Sequence, residues 1–212
     1  MLVFKEVAHL NMEVFGMHTA INEIHNYWFG ELDEAGLSNP DLYSLWFQST
    51  EASDQQCRDQ FGELVETALA GGLGHWEQSD PGLVALIILL DQFTRNIYRH
   101  SPKSFAGDPR ALDLAKKTVT EGHHQRLPAI HQVFLYLPLE HSESADDQQE
   151  CVELFQQLEQ VTGNPTIAGF TRYAVAHQEV IAQFGRFPHR NAILGRQSSA
   201  QELAHLEKHG GF

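Results

Sequence analysis

The chain is poor in cysteine, in positive charge and in long apolar runs. Only two cysteines, Cys57 and Cys151, occur in 212 residues. Both fall in predicted helices, and two thiols make no disulfide framework, so each is expected to be reduced and buried. Lysine and arginine total 14 against 28 acidic residues, a formal charge of −14. That field repels a phosphate backbone and an acidic bilayer, so nucleic acid and membranes are not expected partners. The longest apolar run, Leu83–Leu90, stops at Asp91, far short of the roughly 20 residues that span a bilayer. Met1–Gly16 carries Lys5, Glu6 and Glu13 among its apolar residues and has no small-residue cleavage pattern, so no signal peptide is expected and the protein is placed in the cytoplasm. No phosphate-cradling glycine loop, dinucleotide fingerprint or nucleophile motif is present, and no segment alternates between hairpin turns.

Helical periodicity dominates instead. Residues 1–18 read as a loose extension and 19–209 as a single all-α domain of about eight helices. The segment Ser53–Ala70 opens with a Ser53 to Gln56 capping pattern, keeps Cys57, Phe61, Leu64, Val65 and Ala68 on one face, and stops at Gly71 and Gly72. Asp80–Pro81, Asp108–Pro109 and Asn164–Pro165 each pair a cap residue with a proline suited to a first helical position. Further helices are expected near 125–138 and 145–162, and a last one from Ser199 with Glu202 completing a capping box. Starts separated by one helix plus a short connection favour antiparallel hairpins stacked in succession. Trp28, Trp46 and Trp76, with Tyr27 and Phe29, are expected to close the core rather than line a cofactor pocket.

Against the acidic background, five of the nine arginines sit in two short stretches, LDQFTRNIYR (Leu90–Arg99) and FGRFPHRNAILGR (Phe184–Arg196). The first follows a helix apolar on all sides and places Asp91 with Arg95, and Gln92 with Asn96, four residues apart on one side. The second carries Arg186, His189, Arg190, Asn191 and Arg196 around Gly185 and Pro188. A third stretch, FLYLPLEHSE (Phe134–Glu143), has Pro138 to bend or end its helix and then Glu140, His141, Ser142 and Glu143. Guanidinium forks suit carboxylates and phosphates. The candidate ligand-binding set is therefore Asp91, Arg95, Asn96, Arg99, His177, Arg186, His189, Arg190, Asn191 and Arg196. It would take a small anionic molecule or an acidic peptide.

The same three stretches also hold groups able to handle protons, Glu140, His141, Glu143 and His189, which keeps a hydrolase-type enzyme open as a second reading. A third is purely structural: the arginines neutralise buried carboxylates and fix the fold. His177 lies in line with Phe170, Tyr173, Ala174 and Ile181, as a core histidine does. Thirteen histidines raise the question of a metal, but His205 and His209, with Glu202, lack further ligands, and neither metal nor cofactor is expected. The sequence does not decide the oligomeric state.

These three stretches in this order, together with YWFGE (Tyr27–Glu31) and Trp76, resemble the bacterial family catalogued as domain of unknown function 924, over about Ile24–Leu206. The resemblance implies an all-helical fold similar to tetratricopeptide repeats and an activity not yet established, and it designates no catalytic residues. Thr94 stands where the family pattern DQFPRN has proline, which should leave that helix less kinked.

Overall fold

The protein is described here by a computed structural model that covers residues 18–211. The expected extension, residue 18 apart, lies outside the described residues. The described part is all-α, and its one β feature is an isolated bridge between Leu32 and Ser38. The helices in chain order are α1 (18–28), α2 (Tyr43–Phe47), α3 (Glu51–Leu69), α4 (Asp80–Ile87), α5 (Thr94–Ile97), α6 (Asp108–Thr120), α7 (Ala129–Glu140), α8 (Ala145–Thr162), α9 (Pro165–Phe184) and α10 (Ala200–His209). No helix among the described residues is long and apolar enough to cross a membrane.

Local chemistry accounts for the boundaries, with some corrections. Asn164, Ser144 and Ser199 accept the hydrogen bonds expected of cap residues, and Ser199 with Glu202 closes a full capping box. The box at α3 starts three residues earlier than the sequence suggests. Thr50 is the cap and Ser53 its reciprocal partner, because the Thr50 and Ser53 hydroxyls satisfy each other's backbone N–H groups. Asp80 and Asp108 are not caps. Ser79 caps α4, and Gly107 precedes α6. Pro138 neither ends nor breaks α7, which begins at Ala129 after a 3-10 turn and runs through the proline to Glu140.

The hydrophobic rod that begins with α4 is the centre of the molecule. Leu83–Leu90 are all buried, and the rod packs against α3, α6 and α7. It does not continue as a plain α-helix. Residues Ile88–Phe93 form a π-helical stretch that joins α4 to α5, a wider turn often found at functional sites. Thr94, the first residue after this stretch, donates its hydroxyl back to the Leu90 carbonyl at 2.8 Å. The polar end of the rod does not emerge into solvent: Asp91, Gln92, Thr94 and Asn96 are all buried. Successive hairpins follow, with α6 on α7, α7 on α8 and α8 on α9. Trp28 and Trp76 are buried in the core, and the rings of Trp28, Phe29, Phe93 and Phe134 meet edge to face. Cys57 and Cys151 are free thiols, both buried.

Candidate functional site

The π stretch, the α7–α8 junction and the loop after α9 meet at one place. Asp91, on the π stretch, is fully buried, and its carboxylate receives a hydrogen bond from Nδ1 of His141 at 2.7 Å. Arg95 lies 3.2 Å from the same carboxylate, and the Gln92 amide also donates to it. Burial alone would raise the Asp91 carboxyl, but Arg95, His141 and Gln92 outweigh it and hold the group well below the usual carboxylate range. An ionised carboxylate only accepts, so Nδ1 of His141 carries the proton and Nε2 the lone pair. Burial, and then the nearby Arg95 charge, lower the His141 imidazole and keep it neutral near pH 7.

Arg95 also grips Asp108 with two hydrogen bonds, 2.8 and 3.1 Å. Asp108 comes to this position because the chain before α6 passes unusually close to the rod. A Cβ on Gly107 would stand 2.1 Å from the Leu90 carbonyl oxygen, so only glycine fits. The other Asp108 neighbour is Arg190, whose nearest guanidinium nitrogen is 3.8 Å away, beyond hydrogen-bonding distance. Arg190 is buried between the rings of Phe105 and Phe187, 4.8 and 4.6 Å from their centroids. Its Nε has no hydrogen-bond partner among the described residues. Burial, and then the Arg95 charge, push its guanidinium down to about 10.

The ring of contacts closes through histidines. Phe187 packs on His177 at 5.6 Å and on His189 at 5.7 Å, and His177 stands 6.4 Å from His141. His177 is held by the carbonyl of Tyr173 at 2.9 Å and lies 3.4 Å from a Glu140 oxygen. Burial, followed by the Asp91 charge, pushes Glu140 up to about 8, so this carboxyl is protonated at neutral pH. Burial is also the main cause that lowers His177 to about 3 and His189 to about 4.

Below the ring, Glu143 clamps the loop after α9. It accepts two hydrogen bonds from Arg196 and one from the Phe187 backbone N–H. Arg196 in turn reaches Asn191 Oδ1 at 2.9 Å and the Phe187 carbonyl at 3.0 Å. The loop turns back at Gly185, whose φ of 68° lies in the left-handed region that glycine favours.

Of the residues singled out in the sequence, Asp91, Arg95, Glu140, His141, Glu143, His177, His189, Arg190, Asn191 and Arg196 therefore converge. Two arginines do not. Arg99 turns to Asp54 on α3, at 2.6 and 3.0 Å, and Arg186 pairs with Glu202 on α10. Asn96 is buried beside the π stretch with its Nδ2 unpartnered among the described residues, and it does not bond Gln92 as their spacing suggests. Asp108, Phe105 and Phe187 complete the site and were not singled out. Asp108 was hidden by its resemblance to a helix cap, and the aromatics by the ordinary role of such rings in cores.

No group of three or more His, Cys, Asp or Glu residues among those described is arranged to hold a metal ion. The rings of His205 and His209 are neighbours at 4.8 Å on α10, outside this ring of contacts. A surface groove of about 340 Å³ lies along α8 and α9, and its lining includes none of the residues that converge.

The sequence matches the family described as bacterial protein of unknown function (DUF924) over residues 24–210. A solved structure of a protein of unknown function from Agrobacterium tumefaciens is 32% identical, with a TM-score of 0.74, and the alignment covers 90% of this chain and 98% of that one. No curated protein matches the chain.

Proposed function

The chain belongs to the bacterial family of unknown function DUF924, which designates no ligand, and from the residues themselves we propose that it binds a small monoanion, a carboxylate above all, at Arg190. One observation carries this reading: a buried guanidinium whose Nε has no acceptor among the described residues, where the nearest carboxylate, Asp108, is 3.8 Å away. An unmet buried charged donor costs about 1–3 kcal/mol or more, and an anion seated beside it recovers that cost. The charge count favours a monoanion. Asp91, Asp108 and Glu143 stand against Arg95, Arg190 and Arg196, while Glu140 and the three histidines are neutral. A phosphate dianion would leave two uncompensated charges in a buried setting, and a carboxylate only one. Access is from the side of His141, Arg95 and Asp108, each partly exposed.

The test is thermal denaturation with acetate, succinate monoester and phosphate at millimolar concentration and constant ionic strength. The carboxylates raise the wild-type midpoint. A ligand at 100 times its dissociation constant adds about 2.7 kcal/mol, and each kcal/mol is worth ~2–4 °C in a chain of this size. Arg190→Gln abolishes the shift, and Arg99→Gln, outside the site, preserves it. Equal shifts in wild type and Arg190→Gln contradict the reading.

A further inference from the structure

We propose that Asp91 and His141 form a base pair of groups that hydrolyses a small ester carrying one carboxylate, with His141 as the catalytic residue and Asp91 positioning it. This rests on the anion-binding reading above, with Arg190 holding the substrate carboxylate.

The geometry carries the inference. Asp91 is rigidly placed, since it sits on the π stretch of a buried rod, accepts hydrogen bonds from Gln92 and His141, pairs with Arg95 at 3.2 Å and is wholly closed to water. Its 2.7 Å contact to Nδ1 fixes both the orientation and the tautomer of His141. The imidazole is mostly buried but keeps 16% of its side chain exposed, against 0% for Asp91. A base oriented through one ring nitrogen by a buried carboxylate, with the other nitrogen left to take a proton, is the arrangement that makes histidine effective in proton transfer. Among the described residues no hydrogen bond ties down Nε2 of His141, as one would in an ion pair serving the fold alone.

Neither Ser142 nor Cys151 can serve as a nucleophile. The Ser142 hydroxyl donates to Asp147 at 2.7 Å, and Cys151 is buried with its thiol on the Tyr136 carbonyl. The reaction therefore uses water. Nε2 of His141 takes one proton from a water molecule as that water's oxygen bonds to the ester carbonyl carbon. The tetrahedral adduct collapses with cleavage of the carbon–oxygen bond to the alcohol, and the proton on His141 passes to the departing alkoxide. Ester and water become acid and alcohol, and His141 returns to its starting state.

The assay uses the full chain with 4-nitrophenyl hydrogen succinate, which carries one carboxylate and one activated ester, and monomethyl succinate as the ligand in thermal denaturation. Wild type turns the ester over. His141→Gln lowers kcat by ~100-fold or more while the midpoint shift with monomethyl succinate is retained. Asp91→Asn lowers kcat and alters its pH profile, and imidazole in the medium restores activity to His141→Ala. Retained thermal shift with turnover that is absent, or unchanged in His141→Gln, overturns the base pair and leaves the anion site standing. Loss of the thermal shift in wild type itself removes the anion site and this proposal with it.

Discussion

Glu140 and His177 are 3.4 Å apart and buried, yet their protons pull stability in opposite directions. Burial, and then Asp91, raise the Glu140 carboxyl to about 8, while the unfolded chain releases that proton near pH ~4.3. Between these values the folded state binds more protons, so stability falls as pH rises. His177, lowered to about 3 chiefly by burial, gains its proton near pH ~6.5 only when unfolded. Its contribution is lost as pH falls from there. The two slopes offset each other between pH ~4.3 and ~6.5, and above that Glu140 alone leaves a decline toward pH 8. Glu140→Gln removes the decline. Its stability should exceed that of wild type at pH 8, by roughly 1.4 kcal/mol for each pH unit of the difference in titration, and the advantage, read as a higher melting midpoint, should shrink toward pH 5. A pH-independent difference contradicts a protonated Glu140.

Helices were the readable level of this chain, and the reasons are local. Cap residues and prolines act within one turn, so Asn164, Ser199 and the 145–162 helix could be located from spacing alone. Misplacements arose where two cap residues compete in one turn, as with Ser79 and Asp80 or Thr50 and Ser53. The π stretch had no local signal. The close approach of Gly107 to the Leu90 carbonyl is a contact between elements, invisible to periodicity. It gives an element-scale prediction. Gly107→Ala forces the rod and α6 apart and should cost about 1–3 kcal/mol, read as a lower urea midpoint. Because Asp108 follows directly, the same change should also weaken the carboxylate-induced thermal shift. An unchanged midpoint would show that the two backbones do not meet as described.

At the scale of the whole molecule, two distant stretches were expected to gather their five arginines in one place, and three of the five meet there. Arg95, Arg190 and Arg196 converge, whereas Arg99 and Arg186 find carboxylates on α3 and α10. Charge content alone could not separate these, since Asp54, Asp108, Glu143 and Glu202 are equivalent acceptors until the helices are packed. The link between Asp91 and His141, 50 residues apart, was likewise set by packing, although both residues stood out in the sequence. The proposed anion site depends on Arg190, whose buried Nε lacks a partner among the described residues. Its Nε–H resonance in a 15N-correlated spectrum reports on that donor directly. Titration with acetate at constant ionic strength should move the Arg190 resonance along a saturable curve and leave that of Arg99 in place. An Arg190 resonance that does not move, or that moves only linearly and in step with Arg99, would contradict the account.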